Sequence, residues 1–148
     1  IPDMEYLNAN NAEDIAKAKD PLLFISGWSD PVNLINRITE NPLLVELIYN
    51  AHYIIGESAG VKVLGTYYIS KNDQGDKILL PSLDIIKKTV FEWHYTQRNK
   101  KSALEWGMLE SKSTYGVGID SCTAMVFELA EFPEKYEKLW DGGIVIKK

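Results

Sequence analysis

The chain has 148 residues, 45% of them hydrophobic and 25% charged, with a formal net charge of −5. That length supports one domain around a single core, 1–148, and the composition excludes a disordered chain. The acidic balance leaves no broad footprint for nucleic acid, and no apolar run approaches the ~20 residues of a membrane helix. The lone cysteine, Cys122, excludes an intrachain disulfide and a zinc site built on several thiolates. The start, Ile1-Pro2-Asp3, lacks the basic and apolar regions of a signal peptide. The expected setting is therefore a reducing cytoplasm.

In chain order, residues 11–19 predict a short helix capped by Asn11, with acidic residues in its first turn. Pro21–Ser26 reads as a buried parallel strand ended by Gly27. Pro31 opens a helix over 31–39 with Val32, Ile35 and Ile38 on one face. A second helix follows Pro42, turning Leu43, Leu44, Leu47 and Ile48 inward. Tyr53-Ile54-Ile55 predicts another buried strand, backed by a tight helix over 59–66. Residues 67–69, 78–80 and 89–93 have strand character, and helical spacing returns around 100–110 with Leu104, Met108 and Leu109. Tyr115–Ile119, Ala124–Leu129 and Ile144–Ile146 read as late strands. Such alternation predicts an α/β fold, an open and mostly parallel sheet flanked by helices.

Between the strand at 53–55 and the helix behind it lies Gly56-Glu57-Ser58-Ala59-Gly60, a G-x-S-x-G pattern in strand–turn–helix context. A serine on so sharp a bend needs small neighbours to let strand and helix approach. The helix N-terminus then aims free N–H groups at the place where an oxyanion would develop. A tight packing turn would use the same small residues, and Glu57 is read either as shaping the site or as a solvated side chain.

Serine needs a base at neutral pH. Of the two histidines, His52 precedes the strand leading into the bend and reads as a structural or surface residue. His94 follows the strand 89–93, at the C-terminal rim where open α/β sheets place their sites, and is the base candidate. A carboxylate to orient it is sought among Asp73, Asp76, Asp84 and Glu92, and position alone does not choose. Cys122 reads as a small core residue. Two separated histidines give no metal-ligand spacing, and no phosphate-binding glycine loop is present, so no metal and no cofactor is expected.

Gly56–Gly60, Asn72-Asp73, His94 with Arg98, and Gly116-Val117-Gly118-Ile119-Asp120 with Thr123-Ala124 together resemble the dipeptidase E/cyanophycinase family of serine peptidases. The resemblance runs from about residue 15 to the end. It implies a class I glutamine amidotransferase-like fold and hydrolysis of short peptides through an acyl-enzyme. It further implies Ser58 as nucleophile, His94 as general base and Asp73 as orienting acid, with Glu92 in reserve. The implied oxyanion donors are the Ala59 N–H and a backbone N–H from Gly27 or Trp28. Beside the substrate, Glu57 and Arg98 are the candidates, with Lys100 and Lys101 also near His94 as basic residues that could pair with a substrate carboxylate. Where the family carries Gly-Gly-Asn this chain reads Gly27-Trp28-Ser29-Asp30. Family members also carry further strands before the segment that opens here. The resemblance thus implies that those strands belong to a missing N-terminal segment or come from a second chain, as in a homodimer. Two other readings stand beside it: a catalytically degenerate member or fragment that binds a partner, and an α/β-hydrolase-type esterase, which shares the Ser–Asp–His order.

Overall fold

The computed structural model describes residues 5–19, 21–27 and 30–148. Its first half holds α1 (Ala12–Lys17), β1 (Leu22–Ile25), α2 (Pro31–Thr39), α3 (Pro42–Asn50), β2 (Tyr53–Gly56) and the single turn α4 (Ala59–Lys62). The second half holds β3 (Tyr67–Lys71), β4 (Lys77–Pro81), β5 (Thr89–Trp93), α5 (Lys101–Ser111), β6 (Tyr115–Ile119), β7 (Ala124–Val126), β8 (Glu137–Leu139) and β9 (Ile144–Lys147). Local chemistry sets the helix starts. Asn11, Asp30 and Asn41 each accept backbone N–H bonds from the first turn that follows, and Pro31 and Pro42 occupy positions where no N–H is needed.

Five strands form the main sheet in the order β4-β3-β5-β6-β9. The three central strands run parallel, and the two edge strands, β4 and β9, run antiparallel to their neighbours. The fold is therefore mixed α/β with helices flanking a sheet whose core is parallel. Both faces of that sheet are covered, as parallel strands require. One face sends Tyr68, Phe91 and Val117 into a cluster with Ile35, Ile38, Ile48 and Val63. The other sends Ile69 and Val90 against Leu104 of α5. Phe91, Val90, Val117 and Leu104 are all but inaccessible, and burying each is worth about 1.5–3 kcal/mol. Gly107 lets α5 lie this close, because a Cβ there would run into the Ile69 side chain.

Several expectations need correction. The strand at 21–26 is present as β1, paired in parallel with β2, but the pair stands apart from the main sheet and only one of its faces is buried. Leu22, Phe24, Tyr53 and Ile55 point outward while Leu23, Ile25 and Ile54 pack on the core. The helix expected over 59–66 ends at Lys62, since Val63, Gly65 and Thr66 turn the chain to bond with Leu83, Asp84, Ser82 and Thr89. Val32, Leu43 and Leu109 are exposed rather than inward. The late segment 124–129 is strand only as far as Val126, and β8, with no apolar alternation to announce it, pairs with β7. Among the described residues no helix is long and apolar enough to cross a membrane.

Candidate active site

Ser58 is one of eight non-glycine residues with positive φ among the described residues. It sits at φ 54°, ψ −120°, a conformation that L-residues rarely adopt and that costs of order 1–3 kcal/mol. The neighbours that permit it are small for definite reasons. A Cβ on Gly56 would come within 2.8 Å of Val61 Cα, and one on Gly60 would strike the Ile25 carbonyl. The main chain closes the bend with Glu57 N donating to Ile25 O at 2.9 Å and Gly60 N donating to Glu57 O at 2.8 Å. The segment after β1 comes down over the serine: a Cβ on Gly27 would lie 3.0 Å from Ser58 Oγ and 3.2 Å from Ala59 N. Ser58 Oγ, the Ala59 N–H and the bare face of Gly27 thus meet at one spot.

Two of the expected site residues acquire different partners there. Glu57 Oε2 accepts the Gly27 N–H at 3.0 Å, so that N–H is engaged by a carboxylate and does not serve as an oxyanion donor. Asp30 Oδ1 accepts Asn33 N at 3.0 Å, as the cap of α2. Trp28, the other candidate donor, lies outside the described residues.

His94 follows β5 on a turn over 94–99 and itself takes a positive φ of 49°. Its ring meets Trp93 edge-on at 4.2 Å between centroids, and the Arg98 guanidinium lies 4.3 Å over the same Trp93 ring. Burial, then the Arg98 charge, push the imidazole below its ordinary pKa of 6.5, while the Glu57 carboxylate pulls it the other way. No hydrogen bond joins Ser58 and His94 among the described residues. His94 Nδ1 pairs instead with Ser121 Oγ. His52 lies exposed just before β2.

No hydrogen bond among the described residues joins Asp73, the expected orienting acid, to the imidazole, whose Nδ1 is taken by Ser121. Asp73 is exposed in the β3–β4 hairpin turn, where Asn72 Oδ1 accepts from Gln74 N and Asp76 N. The parallel register of β3 and β5 brings both to one rim, yet the turn chemistry of Asn72 holds the hairpin tip in solvent. Asp84 accepts the Thr66 hydroxyl at 2.7 Å. Glu92, the reserve, is 1% exposed and committed elsewhere. Its Oε1 pairs with Lys62 Nζ at 3.3 Å, and Lys100 Nζ lies 3.6 Å from Oε2, which accepts no hydrogen bond. Lys62 donates in addition to Ile69 O at 2.6 Å and caps the Tyr68 ring at 4.2 Å. Burial pushes Lys62 below its usual value of 10.5, with Glu92 opposing, and burial together with Glu92 raises Tyr68.

Sequence reasoning passed over Ser121 and Lys62. Lys62 falls in the helix expected over 59–66 and Ser121 between the quoted segments 116–120 and 123–124, but neither has a spacing signal: their partners Glu92 and His94 come from distant parts of the chain. Cys122, expected in the core, is exposed, because the loop from β6 to β7 turns outward through a positive φ at that residue.

No protein-family model matches this chain, and no curated protein matches it.

Proposed function

We propose that this chain is a serine hydrolase of the dipeptidase E/cyanophycinase type, acting on short peptides through an acyl-enzyme on Ser58. The observation that carries the reading is the Ser58 backbone, held at positive φ between β2 and α4 with Gly27 laid against its Oγ. Strain of this kind is retained where it exposes a reacting atom. In this scheme Ser58 Oγ attacks the carbonyl carbon and its proton passes to His94. The lowered pKa keeps the imidazole neutral, and so able to accept that proton, at neutral pH. The Ala59 N–H stabilises the oxyanion, and His94 returns the proton to the leaving amine. Water then repeats the sequence on the acyl-serine. Arg98, on the same turn as His94, offers a cation for a substrate carboxylate.

A second reading is favoured by two specific contacts. The Gly27 N–H is donated to Glu57, and the His94 ring pairs with the neutral Ser121 hydroxyl, which together favour a catalytically degenerate member that binds peptides without cleaving them. A fluorophosphonate probe separates the two. The hydrolase reading expects stoichiometric labelling of Ser58, abolished in Ser58→Ala, and turnover of dipeptides above p-nitrophenyl esters. An unlabelled Ser58 in the folded chain supports the binding reading, and ester turnover alone supports an esterase.

A further inference from the structure

The imidazole of His94 is held from one side by a short stretch of chain that docks on it residue by residue. Tyr95 N donates to Ile119 O at 3.1 Å, and Thr96 N donates to Asp120 Oδ1 at 2.8 Å. Ser121 N donates to Gln97 Oε1 at 3.2 Å, and between these bonds Ser121 Oγ meets His94 Nδ1. Asp120 is anchored in turn, its Oδ2 accepting Gly143 N at 3.1 Å and its own N donating to Gly143 O at 3.0 Å. Burial would raise the Asp120 carboxyl, but the N–H donors of Thr96 and Gly143 outweigh it and hold the group below its usual value. It is therefore a fixed anionic peg, already occupied by backbone. The turn that carries the base and the loop that carries Ser121 are stitched at four successive positions. The hydroxyl at Nδ1 is the only side chain among the described residues bonded to that ring.

We propose that Ser121 is the positioning residue of His94, its neutral hydroxyl standing at Nδ1 where a Ser–His–Asp site has a carboxylate. The proposal rests on the hydrolase reading for its catalytic meaning and on the contact alone for its structural one. With Nδ1–H donating to Ser121 Oγ, the Nε2 lone pair is left to take the Ser58 proton. After that transfer the positive ring keeps Nδ1–H on Ser121 and gives Nε2–H to the departing amine, so the proton count closes within the pair. What the hydroxyl does not supply is an adjacent full negative charge. The charges that act on the ring are Arg98 on its own turn and Glu57 beside Ser58, and these act in opposite senses.

The test uses the full chain with 15N-labelled histidine. In the wild type, long-range 1H–15N correlation of His94 is expected to show the Nδ1–H tautomer when the ring is neutral. Ser121→Ala is expected to release a mixture of tautomers, lower kcat about tenfold and leave KM within about twofold. Ser121→Thr, which keeps the hydroxyl, restores both the tautomer and kcat. Ser121→Asp is expected to raise the His94 pKa by about one unit or more, since it sets a full charge against Nδ1. A dominant Nε2–H tautomer in the wild type, or unchanged tautomer and kcat in Ser121→Ala, overturns the proposal. The spectra decide it even if the wild type hydrolyses nothing, an outcome that counts against the hydrolase reading alone. Activity lost in Ser58→Ala but retained in Ser121→Ala sinks only the role of Ser121.

Discussion

Replacing Lys62 by Met tests whether the buried ion cluster holds the serine bend against the strand of His94. Lys62 is the last residue of α4, the turn that begins beside Ser58, and its ammonium reaches Glu92 on β5, two residues before His94. Side-chain exposure is 5% for Lys62 and 1% for Glu92, so neither charge is screened by water. Methionine fills nearly the same volume but removes the ion pair to Glu92 and the hydrogen bond to Ile69 O. Glu92 is left buried with only Lys100, at 3.6 Å from an oxygen that accepts no hydrogen bond. Breaking one side of a buried pair in this way costs about 3–5 kcal/mol. For a chain of this size that lowers Tm by roughly 10 °C, and it raises the unfolding equilibrium constant about a thousandfold. The assay is urea unfolding followed by tryptophan fluorescence and by circular dichroism, with coincident transitions required. The pair Lys62→Met/Glu92→Leu removes both charges and is expected to recover at least ~2 kcal/mol of the single-variant loss. A Lys62→Met protein within ~1 kcal/mol of wild type, or a double variant no more stable than the single one, refutes the argument that this cluster is desolvated and coupled.

Gly27→Ala is expected to reduce turnover at least tenfold with little change in stability, since the new Cβ would lie 2.8 Å from Ser58 Cβ on an exposed segment; steady-state kinetics and thermal melts on one preparation check the split. The His94 titration supplies a signed pH test. Its folded pKa lies below 6.5, so the unfolded chain binds more protons in the interval between the two values. The stabilising contribution is complete above 6.5 and is lost as pH falls to the folded value. The acid limb of kcat/KM follows the same group, and Arg98→Ala moves it up while Glu57→Gln moves it down, both readable by imidazole proton shifts in NMR.

What the sequence by itself determined is local and periodic. Asn11, Pro31 and Pro42 announce three helix starts, because a cap satisfies backbone within its own turn and a proline at the first position needs no N–H. The small residues around Ser58 announce the bend, because sterics at a positive φ are a matter of a few adjacent residues. The segments at 89–93 and 115–119 announce strands, which the structure places at the centre of the sheet with both faces buried. Tertiary structure alone decided the partners. Glu92 answers Lys62 rather than His94, Glu57 answers Gly27, and the imidazole faces Ser121 instead of Asp73. These pairings join residues 27 to 30 positions apart on different elements, and a hydrogen bond has a reach of about 3 Å. Which groups come within that reach depends on strand register and loop docking, neither of which leaves a periodic mark in the chain.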